Sequence, residues 1–516
     1  MEDLKNYIML FLLWLVSTIL VRNIFSKRRT KNSRFPPSPS SLPIIGHLHH
    51  LGPLPHQSLY KLSNRYGPLM HIYLGSIPTV VASSPEMAKE FLRTHEASFS
   101  SRPPPSILKH ISYPSDDLTF APYGPYWKFL KKVCMSQLLG SQTLNLLLPI
   151  RNDERRRFLV SLLKRAESNE SVDIGNELKK LTNNVISRMI MSKRCADDDN
   201  EADEINEVVN DSAEIVGTFN VSDFIWFCKN LDLQGLRKRS KVIHDKFDNM
   251  VEKIIKEHRA HNKTSRGDHH HYHVPTDFLD ILLKISDDEG SDVKLTQENI
   301  KSFFLDVFVA GTNTSSITME WALAELINNP KMMKKAMEEI DNAVGKTRLV
   351  EESDVANLPY IQAIIKETLR LHPPGPILIR EASETCSIDD YEIKEKTRLL
   401  INVWAISRDP NHWESPFEFK PERFYSDDKN EISNNAKNMD VRGQHFQLLP
   451  FGSGRRGCPG TTLGLQVVHT SLASIIQCFD LKTDGIVDMS EGPGLTLPRA
   501  HSLVCVLKAR HSQLPL

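Results

Sequence analysis

The amino-acid sequence predicts a mostly α-helical fold with a smaller β part, preceded by a single N-terminal membrane anchor. Apolar residues recur at helical spacing over residues 302–328, 358–371 and 461–479, as expected for helices that bury one face. Residues 66–81 instead carry alternating and β-branched side chains, which are typical of a hairpin. Residues 7–25 are nearly all apolar and are about long enough to span a bilayer.

The composition argues against a nucleic-acid partner and against a disulfide scaffold. The chain has 516 residues, with 64 basic and 64 acidic side chains, so it carries no net field that would attract nucleic acid. Its seven cysteines are odd in number, widely scattered and without paired metal-ligand spacing. We therefore expect no nucleic-acid partner, and a reducing compartment in place of a disulfide scaffold.

The apolar N-terminal segment could be a signal peptide or an anchor. It is preceded by Glu2 and Asp3, lacks a small-residue cleavage pattern and is followed by a basic cluster at 27–34, which favours an uncleaved anchor. The positive-inside rule then puts the rest of the chain on the cytosolic side. The proline-rich residues 35–43 form a semi-rigid extended segment. This segment is predicted to be a hinge, with a ligand for an SH3-type domain as the alternative.

Two segments follow the hairpin and lead towards a candidate site. Residues 102–122 are proline-rich and irregular, so they form either a substrate-facing loop or an ordinary surface loop. Trp127 and Lys131 come next, and their i, i+4 spacing puts them on one face of a helix. On spacing alone this face could equally be a solvated basic surface.

The two most polar stretches, 197–200 and 263–273, are predicted to be surface loops. The second contains His269, His270, His271 and His273. Histidines that follow one another without a cysteine or carboxylate at fixed spacing lack a pre-formed ligand geometry. We therefore predict no physiological metal site there.

The helix at 302–328 has a middle that is small and polar. Gly311 lowers helix stability, and the Thr314 hydroxyl can bond back to the Ala310 carbonyl and bend the helix. Such a helix leaves room for a flat cofactor and a diatomic ligand. Considered alone, Thr314 could also be an ordinary helix hydroxyl.

The glycine-rich residues 451–460 present one cysteine just before the helix that starts near Thr461. The glycines and Pro459 forbid a regular element, so the backbone makes a tight loop. A helix N-terminus favours a thiolate at Cys458 through its free N–H groups and its dipole. Such a thiolate can be the axial ligand of a haem; the alternative is a free cysteine buried in a turn.

The whole loop pattern, Phe-x-x-Gly-x-Arg-x-Cys-x-Gly from Phe451 to Gly460, resembles the haem-binding signature of the cytochrome P450 family. Glu367-x-x-Arg370, the Pro-Glu-Arg-Phe at 421–424 and the helix at 302–328 follow the family order. The resemblance implies a helical bundle enclosing haem b, with a smaller β-rich part near the N-terminus. It divides the chain into an anchor at 1–26, a hinge at 27–43 and a P450 catalytic domain at 44–516.

The resemblance also implies roles for single residues. Cys458 ligates the iron and Phe451 belongs to the haem-binding loop. Haem carboxylates are contacted by Trp127, Lys131, Arg380 and Arg456, with lysine at 131 where arginine is common, which leaves a point charge in place of a bidentate grip. The substrate cavity is lined by Ala310, Ile377, Leu378 and Ile379. Glu367, Arg370 and Arg423 form a structural network that supports the cysteine loop.

For catalysis, the resemblance makes Thr314 the threonine that orients bound oxygen and its water. The preceding position is usually acidic in the family and is Asn313 here. Because an amide cannot carry a proton, solvent is expected to replace the usual acid in proton delivery.

The implied activity is insertion of oxygen into an unactivated C–H bond, with electrons from NADPH through a membrane-bound P450 reductase. The implied location is the endoplasmic reticulum membrane, single-pass, with the catalytic domain facing the cytoplasm. Residues 222–227, 232–236, 320–325 and 441–444 resemble plant enzymes that modify flavonoids, a group that includes flavone synthases, isoflavone synthase, pterocarpan hydroxylases and triterpenoid oxidases.

Within that group the sequence favours a small hydrophobic flavonoid as substrate. Residues 447–450 look most like flavone synthases, whereas Asn313 and Val309 look more like the hydroxylases. Desaturation of a flavanone and hydroxylation both stay open, as do isoflavonoid, pterocarpan and triterpenoid substrates. A haem-binding electron-transfer protein, and a membrane scaffold that has lost haem, are the alternatives outside enzymology.

Overall fold

The structure is a computed structural model of the chain. It describes residues 5–7, 9–11, 13–14, 16–17, 35–113, 117–194, 207–208, 211–212, 214–265, 277–288, 290, 294–425, 439–511 and 514. Most of the predicted anchor, the basic cluster at 27–34 and the polar stretches at 197–200 and 269–273 therefore lie outside the described residues. Within the described part of the chain, no helix is both long enough and apolar enough to cross a bilayer.

Helices make up most of the described chain, and the three longest apolar runs become helices close to their predicted bounds. The helix predicted at 302–328 begins earlier, because Thr296 and Asn299 form a reciprocal capping box at its start. The α-helices are α1 Pro55–Tyr66, α2 Pro85–Lys89, α3 Leu108–Ile111, α4 Pro125–Val133, α5 Ser141–Leu146, α6 Leu148–Glu167, α7 Ile174–Met191, α8 Leu236–Ser265, α9 Phe278–Ser286, α10 Gln297–Asn328, α11 Pro330–Ala343, α12 Pro359–Leu371, α13 Val403–Ile406 and α14 Thr461–Cys478.

The β part consists of three small sheets among the described residues. The strands are β1 Leu69–Leu74, β2 Ile77–Ala82, β3 Ser171–Asp173, β4 Ile377–Glu381, β5 Cys386–Ile388, β6 Tyr391–Ile393, β7 Arg398–Asn402, β8 Phe479–Lys482 and β9 Val504–Ala509. The first sheet has the order β1-β2-β7-β4, and the others are β3-β9-β8 and β5-β6. β1 and β2 form the predicted antiparallel hairpin, and β7 joins β2 in parallel. The first sheet thus unites the N-terminal hairpin with strands some 300 residues further along.

The helix α10 lies in the centre of the largest hydrophobic core. It packs against α7, α12 and α14, and its first turns and C-terminal half are almost entirely buried. The partly exposed residues of its middle stretch lie between these buried parts. This arrangement leaves a cavity beside the middle of α10, next to the loop that precedes α14.

Candidate functional site

A cavity of about 380 Å³ lies between α10 and the loop 451–460. Most of its wall is apolar, and its polar wall residues come from α4, α7, α10, the cysteine loop and the segment that contains Arg102 and Thr119. It brings together many of the residues singled out from the sequence, namely Trp127, Lys131, Ala310, Thr314, Leu378, Phe451, Arg456 and Cys458. Asn313 and Arg380 are not among the lining residues.

The cysteine loop is shaped by glycines with left-handed backbone angles. Gly452 and Gly454 have φ of 70° and 69°, a region that other residues rarely adopt. The turn lets the Cys458 N–H donate to the Phe451 carbonyl at 2.9 Å. The helix α14 then starts three residues after Cys458, so the thiol lies at a helix N-terminus as predicted.

The protonation of this thiol differs from the expectation. Burial in the protein raises the pKa of Cys458 above its ordinary value, although the Gly460 N–H, the Thr461 hydroxyl and Lys131 lower it. The helix terminus therefore acts in the predicted direction but is outweighed by desolvation. A coordinated metal ion reverses this balance, because metal binding deprotonates a thiol.

Two described cysteines line the cavity, and their environments differ. Cys458 is surrounded by protein, but its surface is open to the space of the cavity, whereas Cys134 is only 1% exposed. Burial raises the pKa of the Cys134 thiol to about 12. Cys458 is therefore the cysteine that is placed to bind a metal centre in the cavity.

One end of the cavity is strongly cationic. Arg456 stacks on Trp127 at 4.3 Å and donates from Nε to the Ser100 carbonyl at 2.8 Å. Arg380 is not part of the wall but lies near Arg102 and Arg456. It is 2% exposed, and among the described residues its Nη2 has no hydrogen-bond partner. Burial, and the nearby Arg102 and Arg456, lower the pKa of Arg380 well below its ordinary value. A buried guanidinium with a free donor group calls for an anionic partner.

The helix α4 carries the predicted pair on the cavity side. The Trp127 indole donates to the Leu118 carbonyl at 2.9 Å, and the Lys131 ammonium donates to the Gly457 carbonyl at 2.8 Å. Both side chains line the cavity. Lys131 therefore also ties α4 to the cysteine loop.

The middle of α10 is as small and polar as the sequence indicates. The Thr314 hydroxyl donates to the Ala310 carbonyl at 2.8 Å, and the helix continues through Gly311 without interruption. The small size of Gly311 has an additional cause, because a Cβ there would lie 2.8 Å from Ile186 of α7. The residue thus allows close helix packing as well as lining the cavity.

The strand β4 presents only part of its predicted lining. Leu378 lines the cavity, whereas Ile377 and Ile379 are not among its wall residues. Successive side chains of a strand point to opposite faces, so Ile377 packs in a separate cluster with Leu400 and Ile379 is 39% exposed. The expectation that all three line the cavity is therefore corrected to Leu378.

The predicted ion-pair network is present and buried. Both oxygens of Glu367 accept from Arg370 at 2.7 Å, and Arg423 approaches Glu367 at 3.2 Å. Glu367 and Arg370 are fully buried. The guanidinium of Arg370 continues to carbonyls of Ser407, Pro416 and Glu418. The network therefore fixes α12 to the segment 407–423, and its described hydrogen bonds do not reach the loop 451–460.

Sequence reasoning missed three charged residues of the site. Arg102 and Asp306 line the cavity, and Asp117 lies beside them. Asp306 is the only carboxylate among the described lining residues. A signal existed for Asp306, which interrupts the apolar run 303–310. Arg102 and Asp117 lie in the irregular segment 102–122, and part of that segment does line the cavity, but nothing in the sequence distinguished these two residues within it.

Comparison with known proteins identifies the family. The model of the family described as "Cytochrome P450" matches residues 36–506. The chain belongs to the cytochrome P450 family. Cytochrome P450 93A3 from Glycine max is 52% identical, over 97% of this chain and 98% of that protein. The 3,9-dihydroxypterocarpan 6A-monooxygenase of Glycine max is 51% identical, over 98% of both chains. The beta-amyrin 24-hydroxylase of Glycine max is 48% identical, also over 98% of both.

A solved structure agrees with the fold of this P450. A zebra fish cytochrome P450 with progesterone superimposes with a TM-score of 0.75 at 25% identity, covering 89% of this chain and all of that one. The protein is thus a P450 monooxygenase with the mostly helical P450 fold, a haem held by a cysteine thiolate and electrons delivered by a reductase.

The residues of the cavity fit a haem. Cys458 is available for the iron, and Arg102, Arg456 and Lys131 of the wall, with the nearby Arg380, would hold its two carboxylates. The clearest indication is the buried Nη2 of Arg380, which has no partner among the described residues. When bound, the haem supplies oxygen activation supported by electron donation from the thiolate. The chain itself contributes a dry apolar wall, the cationic end that orients the cofactor, and the hydroxyl of Thr314 beside the open space.

Proposed function

We propose that this P450 hydroxylates a plant flavonoid or a related polycyclic phenol. The single observation that carries the proposal is its 51% identity, along nearly the whole of both chains, to a 3,9-dihydroxypterocarpan 6A-monooxygenase. The relative's name gives it a polycyclic phenolic substrate, and the two proteins align over 98% of both chains. Hydroxylation is favoured over desaturation because Asn313 and Val309 resemble the hydroxylases of this group.

The cavity chemistry supports a substrate of this kind. Its wall is mainly apolar, including Val307, Ala310, Ile365 and Leu378, which suits aromatic rings. In the proposed role, Thr314 positions oxygen and water, and solvent supplies protons where Asn313 replaces the usual acid.

The partners and location form part of the same proposal. We infer electrons from an NADPH-cytochrome P450 reductase and a position on the endoplasmic reticulum membrane, with residues 1–26 as a single-pass anchor and the catalytic domain facing the cytoplasm. The support is the apolar stretch at 7–25 followed by the basic cluster at 27–34. Carbonate extraction of microsomes tests the anchor: the full chain should stay in the pellet, and a chain that starts at residue 35 should not be retained as an integral protein.

The experiment that tests the substrate is product analysis by mass spectrometry. Microsomes that contain the chain and a plant reductase receive flavanones, isoflavonoids, pterocarpans or β-amyrin separately, with NADPH. A gain of one oxygen on a flavonoid, isoflavonoid or pterocarpan scaffold supports the proposal. Loss of two hydrogens from a flavanone would establish desaturation instead, and no product from any phenolic would contradict the proposal. Microsomes with Cys458→Ala provide the matched control.

A triterpenoid hydroxylase is the second candidate. The beta-amyrin 24-hydroxylase relative is 48% identical over 98% of both chains, and the apolar wall also suits a hydrocarbon skeleton. Oxygenated β-amyrin in the same assay, with all phenolics unchanged, would select this candidate.

A further inference from the structure

Two cationic residues of the cavity, Arg102 and Arg456, donate to one short loop segment, 117–121, which we call the clamp loop. Its carbonyl groups accept from Arg102 at Thr119 (3.1 Å), from Arg456 at Leu118 (3.2 Å) and at Ala121, and from the Trp127 indole at Leu118 (2.9 Å). Two guanidinium groups and an indole at the cationic end of the cavity are therefore oriented by acceptors from this loop. Their positions depend on the position of the clamp loop.

The clamp loop is itself held by two carboxylates. Asp117 accepts from the N–H groups of Phe120 and Ala121, which closes the loop on itself. Asp306 of α10 accepts from the Leu118 N–H at 2.6 Å and from the Thr119 hydroxyl at 2.6 Å. Asp306 is thus the residue through which the clamp loop is fastened to the central helix. It lies eight residues, or about two turns, before Thr314.

We propose that Asp306 is a positioning residue that acts through the clamp loop on Arg102, Arg456 and Trp127, and so sets the grip of the protein on the haem carboxylates. Hydrogen bonds to a buried carboxylate are among the stronger ones in proteins. Losing this acceptor leaves the Leu118 N–H without its partner, so the loop must shift to satisfy it. A shifted loop no longer offers its carbonyls where the guanidinium groups need them.

The charges of the site agree with this role. Burial lowers the pKa of Arg102 below its ordinary value, and Asp306 is the first of the groups that oppose this effect. Burial, with a contribution from Asp117, raises the pKa of Asp306 to about 7. The Asp306 carboxyl is therefore only partly ionised near neutral pH, so its hydrogen bonds to Leu118 and Thr119, more than its charge, hold the clamp loop. The inference holds whichever substrate the enzyme oxidises, because it concerns only the cofactor.

The test measures haem retention in the purified holoenzyme by transfer of haem to excess apomyoglobin. We expect Asp306→Ala to release haem about ten times faster, the order of effect for a lost buried hydrogen bond to a charged group. Asp306→Asn keeps the shape and one acceptor oxygen, so its rate of haem release should lie between those of the wild type and Asp306→Ala. Thr119→Val removes only the hydroxyl donor and should also release haem faster.

The matched control is Glu298→Ala, because Glu298 is an exposed acid on the same helix. This variant should release haem at the wild-type rate.

A second readout separates positioning from a general loss of stability. The resonance Raman bands of the haem carboxylate side chains should shift in Asp306→Ala and Asp306→Asn. In an Arg102→Gln background the effect of Asp306→Ala on haem release should shrink, because the two residues act on one path. Unchanged Raman bands and wild-type haem release in both Asp306 variants would overturn the proposal. If Asp306→Ala does not accumulate as holoenzyme, Thr119→Val decides: faster haem release supports the proposal and an unchanged rate overturns it.

Discussion

Buried guanidinium groups at the cationic end of the cavity show, at the scale of single residues, what the protein prepares for its cofactor. Arg456 is oriented by backbone carbonyls, whereas the buried Nη2 of Arg380 has no partner among the described residues. The backbone thus holds Arg456 in place beside the cavity, and the whole Nη2 group of Arg380 is available to the haem. The sequence motif identified both residues but could not distinguish these two states, since hydrogen-bond partners from distant segments do not appear in a motif.

Other residue-level features of the site depend on contacts that no local pattern contains. Cys458, Thr314 and Trp127 could be predicted because their motifs are contiguous or helically spaced. Arg102 could not, since its neighbours Thr119 and Arg456 are distant in sequence. The prediction that Ile377 and Ile379 line the cavity was wrong. The sequence itself contained the reason, because side chains alternate between the two faces of a strand.

Thr314→Ala tests the role of the hydroxyl on α10. The haem spectrum should stay normal, while product formed per NADPH consumed falls severalfold and peroxide rises, because oxygen and water lose an orienting hydroxyl. The matched control is Ser316→Ala, which removes a similar bond to a helix carbonyl from a residue outside the cavity wall. Unchanged coupling in Thr314→Ala would contradict the assignment.

At the scale of elements, buried polar groups fasten the helices around the site. The network of Glu367 joins α12 to the segment 407–423, and Asp306 joins α10 to the clamp loop. The helices α10, α12 and α14 could be predicted with bounds close to those observed, because their periodic apolar faces are strong signals. The segments that they hold are irregular, and their positions follow from tertiary hydrogen bonds alone.

Glu367→Gln should destabilise the protein strongly. Breaking a fully buried ion pair leaves the charge of Arg370 uncompensated, which costs about 3–5 kcal/mol of unfolding free energy. Denaturant unfolding of the holoenzyme measures this loss of unfolding free energy. The control is Glu338→Gln, which breaks the exposed Lys334–Glu338 pair on α11 and should change stability by at most about 0.5 kcal/mol. Equal effects of the two substitutions would contradict the structural role of the network.

At the scale of the whole molecule, contacts between distant parts of the chain close the fold around the haem domain. Glu491 near the C-terminus accepts from His56 and Gln57 of α1 and from the Trp404 indole of α13. The sheet β1-β2-β7-β4 makes a similar long-range connection. The fold class was predictable from helical periodicity and from the P450 motifs. The long-range contacts of Glu491 and of the first sheet were not, because their partners lie far apart in the sequence.

Glu491 makes the stability of the molecule depend on pH at the acid end. Burial raises its pKa, but hydrogen bonds from His56, Trp404 and Gln57 outweigh burial and bring the pKa to about 2. A carboxyl with a lowered pKa in the folded state contributes stability above its unfolded value, near 4.5, and loses it as pH falls towards 2. The shift corresponds to about 3 kcal/mol.

Glu491→Gln should therefore lower stability at pH 7 and flatten the fall in stability between about pH 5 and pH 2. Thermal unfolding as a function of pH measures both effects. Glu395→Gln, at an exposed carboxylate, should reproduce the wild-type profile. A wild-type acid profile for Glu491→Gln would contradict the contribution assigned to this residue.

The measurement that tests the central claim most directly is the carbon monoxide difference spectrum of the reduced protein. The wild type and Cys134→Ala should both give the red-shifted Soret band of a thiolate-ligated haem, because Cys134 is buried and protonated. Cys458→Ala should lose this band. Retention of the band in Cys458→Ala, or its loss in Cys134→Ala alone, would contradict the assignment of Cys458 as the haem ligand.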